Sequence, residues 1–191
     1  MEATFDDLVK FLANLGTEKV AHTEGSFLHH LIGVYRDLEK WGCDEELCSA
    51  GMFHSIYGTE KFQKFSLPLD RRDEVRQLIG ERAERLAYCN CVMDRASFDR
   101  AAKQESEPYL IVDRKGQPAA ELSEEDFDDL CRVHLCDWLE QVPRSQQWGY
   151  RFDAYKHLAD RLGGVAKESY EAVFANAPAD KCQPTSELKL S

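Results

Sequence analysis

The chain has 191 residues, a hydrophobic fraction of 43%, a charged fraction of 31% and a formal net charge of −11. This length suits one globular domain, and no apolar run approaches the ~18–20 residues that a membrane-spanning helix needs. The negative charge disfavours nonspecific binding to nucleic acids, because their phosphates repel it. We therefore expect a small-molecule substrate as the partner, with no nucleic acid and no membrane; the sequence leaves the oligomeric state open.

The N-terminal segment and the cysteines indicate a cytoplasmic protein. The first residues are acidic and amphipathic, without the basic start and unbroken apolar stretch of a secretory signal. Seven cysteines are an odd count, and Cys89 and Cys91 are spaced too closely for an ordinary zinc-binding pair. We expect reduced thiols, several of them in the core, and the sequence assigns no role to Cys89 or Cys91.

Apolar residues recur at helical spacing along most of the chain. The predicted helices cover residues 4–15, 26–41, 45–55, 71–80, 81–94, 124–142, 150–162 and 165–175. The helix over 45–55 is rich in small residues, which let neighbouring helices approach closely, so we expect it to be central. Asp44 and Ser123 resemble N-caps, and Pro143 is expected to stop the helix that begins near 124.

A short β-hairpin is predicted near 109–121, where a β-branched and aromatic segment is followed by a turn at Gly116. Residues 59–70 are expected to be irregular. The sequence therefore predicts an all-α fold, a helical bundle with one small inserted hairpin. A single domain would span 1–176, followed by a flexible tail at 177–191.

Two histidines and one aspartate form a candidate metal site. His30 and His54 lie at opposite ends of a predicted αα-hairpin, so an antiparallel return brings them side by side. Asp137 is surrounded in sequence by apolar residues, where a carboxylate is costly unless it is paired or bound to a metal. Imidazole and carboxylate together suit a divalent cation such as manganese, iron or zinc.

The order of these motifs resembles the HD-domain superfamily of metal-dependent phosphohydrolases, in particular the hydrolase domain of RelA/SpoT-type alarmone enzymes. The matching stretches are 25–31, 49–55, 75–86 and 135–139, and the resemblance covers roughly 20–140. The chain is also similar to an uncharacterised family of stand-alone proteins with a His-Ser-x-Tyr-Gly-Thr stretch. The resemblance implies an HD-like bundle in which His30, His54 and Asp137 bind a metal.

The chain departs from the HD pattern at a defined point. Ser55 stands where that superfamily has the Asp of its His-Asp pair, and Gly58 and Thr59 stand where the alarmone hydrolases have Glu-Asp. The remaining two-His-one-carboxylate set is also typical of non-haem iron sites. Three alternatives follow: a phosphoester or nucleotide hydrolase acting on a small anionic metabolite, an iron oxygenase, or a non-catalytic binding module with a degenerate metal site.

Further residues are candidates for roles around the metal. Glu60 could replace the missing acid as general base, and Arg95 could bind a phosphate or carboxylate as a planar fork. The remaining candidates are expected to line the substrate pocket, and these are His22, Ser55, Tyr57, Thr59 and Glu84.

Overall fold

The computed structural model describes residues 3–178, so the predicted tail lies outside the described residues from residue 179 onward. Within this part the chain is all-α, as predicted. The α-helices in chain order are α1 (Phe5–Asn14), α2 (Phe27–Lys40), α3 (Glu45–Phe53), α4 (Arg72–Ile79), α5 (Glu81–Val92), α6 (Arg95–Ala101), α7 (Glu124–Ser145), α8 (Phe152–Leu162) and α9 (Gly164–Phe174). No helix in residues 3–178 is both long enough and apolar enough to cross a bilayer.

Helices α2 and α3 form the predicted αα-hairpin, and every residue of α3 from Leu47 to Phe53 is buried. Asp44 begins α3 as expected, since its carboxylate accepts the Leu47 N–H at 2.8 Å. A Cβ at Gly51 would lie 2.3 Å from a methyl carbon of Leu38 on α2. The absence of a side chain at Gly51 is therefore what allows the two helices to pack so closely.

Helix α7 packs against α2, α5, α8 and α9 and is buried along most of its length. Ser123 caps it as predicted by accepting the Asp126 N–H. The expected stop at Pro143 is wrong, because α7 continues to Ser145 and ends at Gln146 in a left-handed conformation. Proline in the last turn removes only one intrahelical hydrogen bond, at a point where the helix is already ending.

The hairpin predicted near 109–121 is present as the antiparallel strands β3 (Tyr109–Val112) and β4 (Pro118–Leu122). Two elements that bear on the candidate site were not predicted. One is a hairpin of two strands, β1 (Ala21–His22) and β2 (Gly25–Ser26). Each strand has two residues and is too short to show the alternation of a strand in sequence. The other is α6, whose N-cap Asp94 accepts the Ser97 N–H at 2.7 Å. Both carry residues that become important below.

The six cysteines within the described residues are free thiols, and five of them are buried. Burial raises the pKa of Cys89 and of Cys91 to about 12, so both thiols stay protonated at neutral pH. The Cys91 thiol donates to the carbonyl oxygen of His54 at 3.1 Å. Cys91 thus contributes to packing and local hydrogen bonding.

The close approach at Gly51 generates the first prediction. Gly51→Ala would gain helix propensity of about 1 kcal/mol, but the added methyl meets Leu38 in a packed core. We expect a net loss of about 1–3 kcal/mol in the free energy of unfolding, measured by urea denaturation. Ser49→Ala, on the same helix, is the control, because Ser49 already carries a Cβ and the substitution adds no atom. It should change the free energy of unfolding by less than about 1 kcal/mol. A stabilised Gly51→Ala variant would contradict this packing.

Candidate metal centre

Three helices each place one ligand at the same point. His30 lies in the first turn of α2, which Ser26 caps by accepting the His29 N–H at 3.2 Å. His54 is the residue at which α3 ends. Asp137 lies in the middle of α7. All three side chains are buried, as the sequence interpretation requires of a metal site.

The facing atoms of these residues form a nearly equilateral triangle. His30 Nε2 lies 3.2 Å from His54 Nε2 and 3.2 Å from Asp137 Oδ1, and His54 Nε2 lies 3.3 Å from the same oxygen. A point equidistant from three such atoms is about 1.9 Å from each in their plane, close to the ~2.0–2.2 Å of zinc–ligand bonds. This buried group can hold a metal ion.

The other ring nitrogens fix the tautomers that metal binding needs. His54 Nδ1 lies 2.7 Å from the Gly51 carbonyl oxygen, which can only accept a hydrogen bond. His30 Nδ1 lies 2.5 Å from Glu140 Oε2, which as a carboxylate also accepts. Each neutral imidazole therefore carries its hydrogen on Nδ1 and directs the Nε2 lone pair at the common point, as in carboxylate–histidine–metal arrangements.

Without a cation, a proton bridges the same atoms. Burial alone would lower the pKa of His30, but hydrogen bonds to the carboxylates of Asp137 and Glu140 outweigh it and raise that pKa to about 9. Burial would likewise raise the pKa of Asp137, yet the adjacent imidazoles of His54 and His30 hold it well below its usual range. The carboxylate therefore stays ionised, which is the state that binds a metal.

Glu140 supports His30 from the next turn of α7. Its carboxylate also accepts a hydrogen bond from Arg144 at 2.7 Å. A Cβ at Gly33 would lie 2.8 Å from Glu140 Oε1, so the glycine leaves room for this side chain against α2. Gln141 donates to Asp137 Oδ1 at 2.6 Å and orients the ligand carboxylate.

A chain of largely buried polar side chains is hydrogen-bonded to the backbone carbonyl of His54. Asn90 Nδ2 donates to the His54 carbonyl oxygen at 2.8 Å, while Asn90 Oδ1 accepts from His134 Nδ1 at 3.0 Å. Arg151 in turn donates to His134 Nε2 at 2.8 Å. Burial and the nearby charge of Arg151 hold the pKa of His134 well below its usual value, so its ring is neutral. The neutral ring can donate to Asn90 through Nδ1 and accept from Arg151 through Nε2.

The three ligands face a cavity of about 210 Å³. Of the residues predicted around the metal, His22, Ser55, Thr59 and Arg95 line it. The His22 ring stacks on that of His30, with centroids 4.3 Å apart. Burial, with the nearby charge of His30, lowers the pKa of His22 to about 4, so this ring is neutral at pH 7. The cavity thus combines a candidate metal site with neutral and cationic polar groups.

Polar groups in this cavity lack partners within residues 3–178. His22 Nδ1, Ser55 Oγ and Arg95 Nε are buried without a hydrogen bond. Buried polar atoms are usually satisfied, so three exceptions around one cavity indicate groups that a bound ligand or water would satisfy.

Three predicted candidates lie elsewhere. Glu60 is exposed, and its carboxylate accepts the backbone N–H of Arg95 at 3.0 Å, so it fixes the start of α6. Tyr57 and Glu84 lie together outside the cavity, where the Tyr57 hydroxyl donates to Glu84 at 2.9 Å. Glu84 is fully buried and forms ion pairs with Arg72 and Arg76, because a buried carboxylate needs such compensation.

Sequence reasoning missed Glu140, Gln141 and Lys61. Glu140 follows Asp137 by three residues on a predicted helix, so the two side chains lie on the same face of that helix. This spacing could have indicated that Glu140 lies near the site. Lys61 lies in a segment without periodicity and had no such signal. Lys61 is exposed overall, but its ammonium group lies 3.8 Å from the ring centroid of Tyr150. Partial burial, with repulsion from Arg95, lowers the pKa of Lys61 to about 8.

A larger cleft of about 550 Å³ lies between α3 and α4 and contains none of the three ligands. Its cation, Arg76, is already paired with Glu84 and Asp73. The smaller cavity is therefore the candidate functional site.

Comparison with known proteins gives one match. A family model described as a domain of unknown function (DUF6817) matches residues 11–95. The matched segment includes His30 and His54 and ends before Asp137. No curated protein and no solved structure matches the chain. The chain is thus similar to this family over less than half its length, and the description of the family names no activity.

The ligand geometry predicts the effects of two substitutions on metal binding. Asp137→Asn should abolish binding of manganese or zinc, measured by calorimetry after chelator treatment, because it removes the anionic ligand. Glu140→Gln should weaken affinity by about 10- to 100-fold, because the carboxylate orients His30. Glu125→Gln, exposed on the same helix, is the matched control and should bind like the unaltered protein. Equal affinities in all three variants would refute the site.

The raised pKa of His30 predicts how the metal-free protein responds to pH. Its imidazole titrates near ~6.5 in the unfolded chain and at about 9 when folded, so the folded state holds the extra proton between these values. The free energy of unfolding should therefore fall from about pH 6.5 to about pH 9, as urea denaturation with chelator present would show. Glu140→Gln should flatten the decline. A flat profile in the unaltered protein would contradict the bridging proton.

Proposed function

We propose that the protein is a metal-dependent phosphoesterase of HD-like fold that acts on a small anionic substrate. The observation that carries this proposal is the convergence of His30, His54 and Asp137 on the wall of a cavity that also presents cations. Lys61, Lys64 and Arg95 line the cavity in a chain whose net charge is −11. A local positive site on an acidic protein favours a specific anion over polyanionic surfaces.

A divalent cation bound to these three ligands would lower the pKa of a water ligand and offset the charge that develops on phosphoryl oxygens. The chain's own residues would do the remaining work. Gln141 and Glu140 hold Asp137 and His30 in register. Arg95 and Lys61 would bind the substrate anion and orient it towards the ligands.

His22 and Ser55 complete the polar lining. The His22 ring is neutral at pH 7 and its Nδ1 lacks a partner, so it can exchange a hydrogen bond with substrate or water. The Ser55 hydroxyl follows His54 directly and is also free to donate into the cavity. Serine at this position leaves the site with three ligands, which suits one metal with open coordination positions.

The same ligand set supports a second candidate, a non-haem iron oxygenase. Two histidines and one carboxylate are the ligand set of many such iron sites. The cationic cavity favours the phosphoesterase, because an oxygenase substrate need not carry phosphate. A third outcome is a binding module that holds metal and anion without turnover.

The experiment compares metal-loaded forms of one preparation. Manganese-, zinc- and iron(II)-loaded protein is assayed for phosphate release from a panel of small phosphomonoesters, and the iron form also for oxygen consumption. We expect phosphate release that is lost in Asp137→Asn and retained in Glu125→Gln. Oxygen consumption without phosphate release would favour the oxygenase, and binding without either reaction would favour the module.

A further inference from the structure

Arg95 is an unusual buried charge in this protein. Its residue is 5% exposed, yet its guanidinium forms no ion pair within the described residues. Other buried charges do have counter-charges: Glu84 pairs with Arg72, and Asp126 pairs with Arg82. A buried cation without a directly bonded anion is costly, and Asp137 acts on Arg95 only through a longer-range charge interaction that raises the Arg95 pKa. The site can therefore accept an anion that the described residues do not supply.

The guanidinium is held in place with donors to spare. Its Nη1 donates to the Tyr150 hydroxyl at 3.0 Å, and Nε has no partner among residues 3–178. The Glu60 carboxylate fixes the backbone of Arg95 at the start of α6. The result is a positioned planar fork, which matches phosphate geometry better than a flexible ammonium does.

Two further groups face the same cavity. The Lys61 ammonium donates to Gln147 Oε1 at 2.6 Å and lies 3.8 Å from the Tyr150 ring centroid, but it makes no ion pair within the described residues. Ser55 is 3% exposed, and its Oγ is unpartnered. Arg95, Lys61 and Ser55 therefore line the same cavity as the three candidate metal ligands.

The cavity is small. At about 210 Å³ it falls below the ~300–1,000 Å³ of pockets that enclose drug-sized ligands. A phosphate with a few adjoining atoms fills it, and a nucleoside would have to extend outside.

We propose that Arg95, Lys61 and Ser55 form a phosphate subsite, and that the substrate is a small phosphomonoester to which a nucleoside would add no affinity. This inference rests on the proposed function for the identity of the substrate. The subsite itself is a separate property, because it binds phosphate through side chains that are not metal ligands.

The test measures binding of inorganic phosphate to chelator-treated protein by calorimetry at low ionic strength. Arg95→Gln should weaken binding by at least about tenfold, as expected for a lost charged hydrogen bond. Arg100→Gln, exposed on the same helix, is the matched control and should bind as the unaltered protein does. Lys61→Met, at an exposed position, should weaken binding in the same direction even if Arg95→Gln folds poorly.

A second arm compares glycerol phosphate with adenosine monophosphate as competitors. We expect equal or tighter binding of glycerol phosphate. Adenosine monophosphate binding about tenfold more tightly would overturn the small-substrate inference. Phosphate affinity unchanged in both Arg95→Gln and Lys61→Met would overturn the subsite. Phosphate binding that depends on Arg95, in a protein without turnover on any metal, would support the subsite while refuting the proposed function.

Discussion

The buried Asp137 carboxylate is the constraint on which the rest of the site depends. It is held between two imidazoles at 3.2 and 3.3 Å, deep in the helical bundle. A carboxylate at this depth needs a compensating positive charge, which either a proton on His30 or a metal ion can supply. The surrounding structure fits the metal better, because Glu140 and the Gly51 carbonyl both direct an Nε2 lone pair at the same point. Close helix packing maintains this arrangement.

The site and the fold share their key residues. Gly51 brings α3 against α2, and Gly33 admits the Glu140 side chain between α2 and α7. Asn90 on α5 holds the carbonyl oxygen of His54, so a fourth helix also supports the ligand geometry. The ligands therefore lie on rigid elements, whereas the cations of the cavity come from a loop and from the start of α6. This division places the proposed anion-binding side chains beside the candidate metal centre and on different elements.

Sequence reasoning predicted the centre of the site better than its periphery. The sequence identified His30, His54 and Asp137 as candidate ligands. Helical periodicity and the predicted αα-hairpin brought the two histidines together, and a carboxylate among apolar neighbours indicated a paired or metal-bound acid. Tyr57 and Glu84 were expected to line the pocket, but Glu84 lies outside it and forms ion pairs with two arginines of α4. Such long-range pairing leaves no local signal. The positions of Lys61 and Arg95 likewise depend on an irregular segment and an unpredicted helix.

The most direct test of the central claim is a crystal structure of protein reconstituted with manganese, iron or zinc, with anomalous data collected at the edge of each metal. We expect a single anomalous peak about 2.0–2.2 Å from His30 Nε2, His54 Nε2 and Asp137 Oδ1. No peak at this point after reconstitution with all three metals, or a peak only at other residues, would contradict that claim.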